Sequence, residues 1–183
     1  MRDAILLIDD EEQVLNSIQR SLFEENYDVV TSTNGEEGLQ RLQEQPFKVV
    51  VCDERMPGLS GSETLAMIGL RHPQVVRILL TGQATLEAAL RAVNEGQVYR
   101  LLLKPWNDME LKMALRSAVE KHDLEMENRR LLSLVRIQAL HLDRIERAQP
   151  GLAGLKKGRD GRYYLPEIDD EEAARIFGSA PPG

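Results

Sequence analysis

The chain has 183 residues, 42% of them apolar, and a formal net charge of −7. That length exceeds one domain of roughly 100–150 residues, so it implies one domain plus something extra. The acidic balance excludes a general attraction to DNA or RNA, the single cysteine, Cys52, excludes disulfide stapling and thiolate metal sites, and no apolar run reaches the ~18 residues of a membrane span.

The first apolar run, Ala4 to Ile8, is too short for a signal peptide and ends in Asp9-Asp10. The chain therefore reads as cytoplasmic. Ile5 to Ile8 has the unbroken apolar character of a strand buried on both faces. Glu12 to Glu24 carries Val14, Leu15, Ile18 and Leu22 at helical spacing. Asp28 to Ser32 is a second strand. Asn34-Gly35-Glu36-Glu37 opens a short helix with Leu39 and Leu42, which must end before Pro46. Phe47 to Cys52 is the third strand, ending at Asp53. Met56-Pro57-Gly58-Leu59-Ser60-Gly61 is a turn, and Ser62 to Leu70 is a third helix. Val75 to Leu80 is the fourth strand, ending at Thr81-Gly82. Thr85 to Asn94 is a fourth helix with Gly96 as its stop. Tyr99 to Leu103 is the fifth strand, ending at Lys104-Pro105, and Asn107 or Asp108 caps the helix that follows.

Strands alternating with helices make a doubly wound α/β fold, a parallel sheet with helices on both faces. Its ligand crevice lies beyond the carboxyl ends of the strands. Asp9, Asp10, Asp53, Thr81 and Lys104 all fall on that edge.

From Asp108 to about Arg147 there is neither proline nor glycine. About forty helical residues span roughly 60 Å. A domain of this size covers only the first turns, through Leu111, Leu115 and Ala118. Beyond them Leu124, Asn128, Leu131, Val135, Gln138, Leu142 and Ile145 recur in the heptad pattern. That seam permits a parallel dimer in which Asn128 fixes the register, or packing against another domain. From Pro150 glycines and lysines give a flexible tail, with a short helix possible from Asp169 to Phe177. The expected organisation is residues 1–120 as the sheet domain, 121–149 as an extended helix in a coiled coil, and 150–183 as tail.

Oxygen ligands from Asp9, Asp10 and Asp53 suit Mg²⁺, and three carboxylates together need a cation to offset them. Asp53 is placed to act as a nucleophile forming an acyl phosphate. Lys104 pairs with the phosphate or with the carboxylate before it arrives, and Thr81 offers a hydroxyl donor. Each residue also has a plainer role. Asp9-Asp10-Glu11 can cap the first helix, Asp53 can open the turn before Pro57, Thr81-Gly82 can be a loop, and Lys104 can be a solvated lysine. Four such endings at one sheet edge are what favour the chemical reading.

Ile8-Asp9-Asp10-Glu11, Val51-Cys52-Asp53 through Gly61, Leu80-Thr81-Gly82 and Leu103-Lys104-Pro105-Trp106 together resemble the CheY-like receiver domain of two-component response regulators. The resemblance covers about residues 3 to 120. It implies a five-stranded sheet in the order 2-1-3-4-5, a cis peptide at Pro105, and phosphoryl transfer to Asp53 from the phosphohistidine of a histidine kinase or phosphotransfer protein. It further implies Mg²⁺ held by Asp9, Asp10, Asp53 and the backbone carbonyl of Arg55, with Thr81 and Lys104 on the phosphoryl group. Asp53-Glu54-Arg55-Met56-Pro57-Gly58, with Asn94-Glu95-Gly96 and Lys104-Pro105-Trp106, is similar in style to receivers of HD-GYP-type phosphodiesterases and related regulators, whose output motif does not appear after Pro150. The usual aromatic three residues before the lysine is replaced by Leu101, with Tyr99 facing the same side.

The function expected is a phosphoacceptor response regulator signalling through its long helix to an effector not named by the sequence. Its only chemistry would be its own phosphotransfer and dephosphorylation. The alternatives are a dimeric scaffold or adaptor, or the N-terminal part of a longer regulator. A role in DNA binding has little support: no helix-turn-helix follows the sheet domain, and Lys156-Lys157 with Arg159 is a weak basic patch.

Overall fold

Apolar runs pair as parallel strands because both of their faces must be covered. β1 (Asp3–Ile8), β3 (Val49–Asp53) and β4 (Val76–Thr81) form the buried centre of the sheet, and the more exposed β2 (Tyr27–Ser32) and β5 (Arg100–Leu103) form its edges. They form one sheet in the order β2-β1-β3-β4-β5, every pairing parallel. The computed structural model describes residues 2–82, 98–148, 156, 157, 163 and 164. The helices expected over 85–94 and 169–177 lie outside the described residues.

Side-chain alternation sorts the strands into two cores. On one face Ile5, Leu7, Val51, Ile78 and Leu80 meet Leu15 and Ile18 of α1 (Glu12–Ser21). On the other Leu6, Ile8, Val50 and Leu79 meet Leu39 and Leu42 of α2 (Gly35–Glu44) and Leu65 and Ile68 of α3 (Gly61–Arg71). Burying each such side chain contributes about 1.5–3 kcal/mol. The last helix, α4 (Asp108–Ala148), joins the first core through Leu111, Ala114, Leu115 and Ala118, all fully buried.

Local chemistry sets the helix starts. The Asn34 side chain accepts from the Glu37 N–H at 2.8 Å, and Ser60 and Glu63 form a reciprocal capping box. Asn107 Oδ1 accepts from the Met109 N–H at 2.8 Å, so Asn107 rather than Asp108 serves the start of α4. α1 ends at Ser21, short of Glu24, and Phe47 is buried ahead of the β3 ladder rather than in it. Apolar spacing reports burial, while strand and helix limits follow hydrogen bonding.

The chain divides into two compact units, Met1–Arg129 and Arg130–Gly183. The second contains two short antiparallel strands, β6 (Lys156–Lys157) and β7 (Tyr163–Tyr164). Paired tyrosines favour the extended backbone there, where glycine spacing suggests only a loose tail. Among the described residues no helix is long and apolar enough to cross a membrane.

Candidate functional site

The parallel ladder carries the polar residues to one edge. The Asp9 N–H donates to the Ser32 carbonyl at 3.2 Å, extending β1 against β2 by a residue. Asp53 and Thr81 are the last residues of β3 and β4, and the Lys104 N–H donates to the Thr81 carbonyl at 2.8 Å. Two strand ends and the residues that follow two other strands are thereby held level.

Asp9 and Asp53 are buried, Asp10 beside them is exposed, and Thr81 is buried. Lys104 Nζ lies 2.8 Å from Asp9 Oδ2 and 2.6 Å from Asp53 Oδ1. The remaining oxygens are also occupied. Asp9 Oδ1 accepts from the Glu11 N–H at 2.9 Å, and Asp53 Oδ2 accepts from the Arg55 N–H at 2.9 Å. A turn to the N–H two residues on thus explains one oxygen of each acid and the lysine takes the other, while Glu11, the N-cap of α1, makes no side-chain capping bond. The Lys104–Pro105 peptide is cis.

Burial pushes the Asp9 carboxyl above the usual aspartate value, more than the Lys104 and Glu11 hydrogen bonds pull it down. Burial also works against the charge on Lys104. Its hydrogen bonds to Asp53 and Asp9 outweigh that, and its pKa is raised. The lysine therefore stays a cation between two buried acids.

Asp9, Asp10 and Asp53 each present a carboxylate oxygen within 4.8 Å of the others. An all-oxygen donor set of this kind fits a hard divalent cation and is consistent with Mg²⁺. Lys104 offsets only part of the negative charge of three acids, so a cation there is electrostatically favoured.

The turn after β3 is shaped by two glycines. Gly58 has φ of +80°, open to glycine at no cost, and a Cβ on Gly61 would stand 2.2 Å from the Asp53 carbonyl oxygen. The same turn holds a pairing that sequence reasoning misses. Glu54 Oε2 accepts from the Ser62 N–H at 2.9 Å and the Ser62 hydroxyl at 2.7 Å, fastening α3 to the residue after Asp53. Leu101 packs against the second core, and Tyr99, ahead of β5, is exposed with its ring 5.6 Å from Lys121 Nζ of α4.

A five-stranded parallel sheet in this order, with buried acids and a lysine at its carboxyl edge, defines a CheY-like receiver fold. Residues 5–116 match the response regulator receiver domain, and the chain belongs to that family. It is 38% identical over 127 residues to the hydrogenase transcriptional regulatory protein HoxA of Cupriavidus necator, covering 69% of this chain and 26% of that one. Among solved structures it is similar to one described as an adenylate cyclase from Rhodopirellula baltica, with TM-score 0.69, 36% identity, and 73% and 98% of the two chains covered. It is also similar to the signal receiver domain of an HD domain-containing protein from Pseudomonas fluorescens, with TM-score 0.65, 37% identity, and 69% and 93% covered. The chain spans about a quarter of the length of the curated relatives it matches.

Proposed function

We propose that this chain accepts a phosphoryl group on Asp53 from the phosphohistidine of a histidine kinase or phosphotransfer protein. The observation that carries the proposal is the Lys104 ammonium, 2.6 Å from Asp53 Oδ1, beside a cluster of three acids. An Asp53 carboxylate oxygen attacks phosphorus, and the P–N bond to the donor imidazole breaks with its electron pair passing to nitrogen. The imidazole leaves and takes up a proton, and Asp53 is left as an acyl phosphate. Lys104 moves its hydrogen bonds from the carboxylate to the phosphoryl oxygens, and the Thr81 hydroxyl donates to another. Attack of water on phosphorus returns the free carboxylate and inorganic phosphate.

Asp9, Asp10, Asp53 and the Arg55 carbonyl would hold Mg²⁺, which when bound supplies positive charge against the incoming phosphoryl oxygens. In this reading residues 1–120 act as the receiver and 121–149 as its output helix. That helix would carry the state of Asp53 to an effector and associate two copies. The motif-level likeness to receivers of HD-GYP-type regulators is not singled out by the relatives, which are named as a transcriptional regulator, a cyclase and an HD domain protein.

The test is phosphoryl uptake from acetyl phosphate, with and without Mg²⁺, by the parent and by Asp53→Asn. Uptake by the parent that needs Mg²⁺ and is lost in the variant is the expected result. A parent chain that stays unmodified with donor and metal both present would overturn the reading.

A further inference from the structure

Glu54 follows Asp53 and is a fourth acid at the sheet's carboxyl edge, yet the group of acids close enough to share a cation is Asp9, Asp10 and Asp53. Its carboxylate is held elsewhere. Glu54 Oε2 accepts from the Ser62 N–H at 2.9 Å and from the Ser62 hydroxyl at 2.7 Å. Hydrogen bonds to a charged oxygen are strong, and the N-terminus of α3 adds a favourable field.

Residues 54–60, between β3 and α3, belong to no strand or helix. Both ends of this strap are nonetheless fixed. The Glu54 N–H donates to the Leu80 carbonyl at 2.9 Å, fastening one end to β4. The Gly61 N–H donates to the Glu54 carbonyl at 3.1 Å, and the two Ser62 bonds close the base through the Glu54 side chain. Glu54 thus bonds through its N–H, its carbonyl and its carboxylate, all at the foot of the strap. The next residue is Arg55, whose N–H donates to Asp53 Oδ2 at 2.9 Å. Any slack at the foot passes directly to that peptide.

We propose that Glu54 is a positioning residue of this site: anchored on Ser62, it sets the strap so that the Arg55 peptide stands beside Asp53 before a divalent cation binds. The proposal rests on the reading that the three acids and the Arg55 carbonyl hold Mg²⁺, and deepens it. A strap loose at its foot must be ordered when the cation arrives, and that ordering weakens binding. The plainer role of Glu54 is a second cap for α3, which adds stability and nothing more. The two roles differ in where they act. A cap shifts the balance between folded and unfolded chains, whereas a positioning residue changes metal affinity within the folded protein. Positioning also depends on hydrogen bonds rather than on charge. Glu54→Gln keeps an acceptor oxygen at the same reach, and Glu54→Ala does not.

The experiment titrates MgCl₂ alone into the full chain, well below its melting range, and reads NMR amide shifts at Asp10 and Arg55. Glu54→Ala should raise the midpoint about tenfold, the effect usual for a group that supports a metal ligand. It should also speed amide exchange along 55–60. Ser62→Ala keeps the N–H bond, loses the hydroxyl, and should shift the midpoint the same way by about two- to threefold. Glu54→Gln should stay within about threefold of the parent. Phosphoryl uptake from acetyl phosphate at saturating Mg²⁺ should be close to the parent's in all three. An unchanged midpoint in Glu54→Ala overturns the proposal and leaves Glu54 as a cap. If that variant does not fold, an unchanged midpoint in Ser62→Ala does the same. So does a Glu54→Gln midpoint as high as that of Glu54→Ala, which would make charge the agent, and so does a parent that binds no Mg²⁺. A parent that binds Mg²⁺ and takes up no phosphoryl group overturns the phosphoacceptor reading alone, and the midpoints still decide the role of Glu54.

Discussion

Lys104 Nζ stands 2.6 Å from Asp53 Oδ1 and 2.8 Å from Asp9 Oδ2, bridging the ends of β3 and β1 from the end of β5. One cation thus serves two buried acids, and it is itself mostly buried. Removing it leaves both carboxylates facing each other with no compensating charge.

Lys104→Met is therefore expected to cost about 1–3 kcal/mol in the absence of metal, below the full penalty for a buried pair because the site edge is open to water. Urea unfolding measures it. Millimolar Mg²⁺ should restore part of the loss, since the acids then have another cation. A variant as stable as the parent, with no response to Mg²⁺, would mean that the three carboxylates do not share a charge problem.

Gly61→Ala tests the packing that presents Asp53. The added Cβ meets the Asp53 carbonyl oxygen at 2.2 Å, which is backbone and cannot swing aside. The N-terminus of α3 must retreat, disturbing the Glu54–Ser62 hydrogen bonds. The expected cost is about 2–4 kcal/mol, with phosphoryl uptake slowed at least tenfold. Ser62→Ala, which removes one hydroxyl, should cost about 1 kcal/mol.

Much of the sheet is legible in the chain because buried parallel strands read as unbroken apolar runs. The residue ending each run marks the sheet edge, which is how Asp9, Asp53, Thr81 and Lys104 come to be considered together. What is not legible is pairing between distant charged side chains. Lys48 Nζ lies 2.7 Å from Asp3 Oδ1 and 2.6 Å from Asp123 Oδ1, tying the start of β1 to α4. Ser21 donates to Asp108 at 2.9 Å. Such partners are set by the fold and leave no periodic trace. The two roles of Asp9, one oxygen on Glu11 N–H and one on Lys104, are hidden for the same reason.

The pH dependence of stability has a traceable contributor at Glu25. Its hydrogen bond with Arg116 at 3.1 Å, aided by Lys112 at 3.6 Å, holds its carboxyl below the usual glutamate value. The folded state then binds fewer protons there than the unfolded chain. The stabilisation is present above the ordinary pKa of about 4.5 and is lost as pH falls through the lowered one. Glu25→Gln should melt below the parent at pH 6–7 and together with it at the acid end. A constant difference across that range would assign the effect to packing instead.

Tyr99 touches α4 just before its exposed seam begins. Lys121 Nζ sits 5.6 Å from the ring and also pairs with Glu125, one turn further along the helix. A cation–π contact of this exposure contributes about 0.5–1 kcal/mol, a two- to fivefold bias in local opening. Tyr99→Leu should therefore raise amide exchange at 121–125 by that factor, while Tyr99→Phe, which keeps the ring face, should not. If the state of Asp53 reaches the helix through this ring, a fluoride-based phosphoryl mimic with Mg²⁺ will change exchange at 121–128 in the parent and in Tyr99→Phe, but not in Tyr99→Leu. Equal responses in all three would leave Tyr99 as a structural contact and send the search for the relay to Leu101, which packs against the second core.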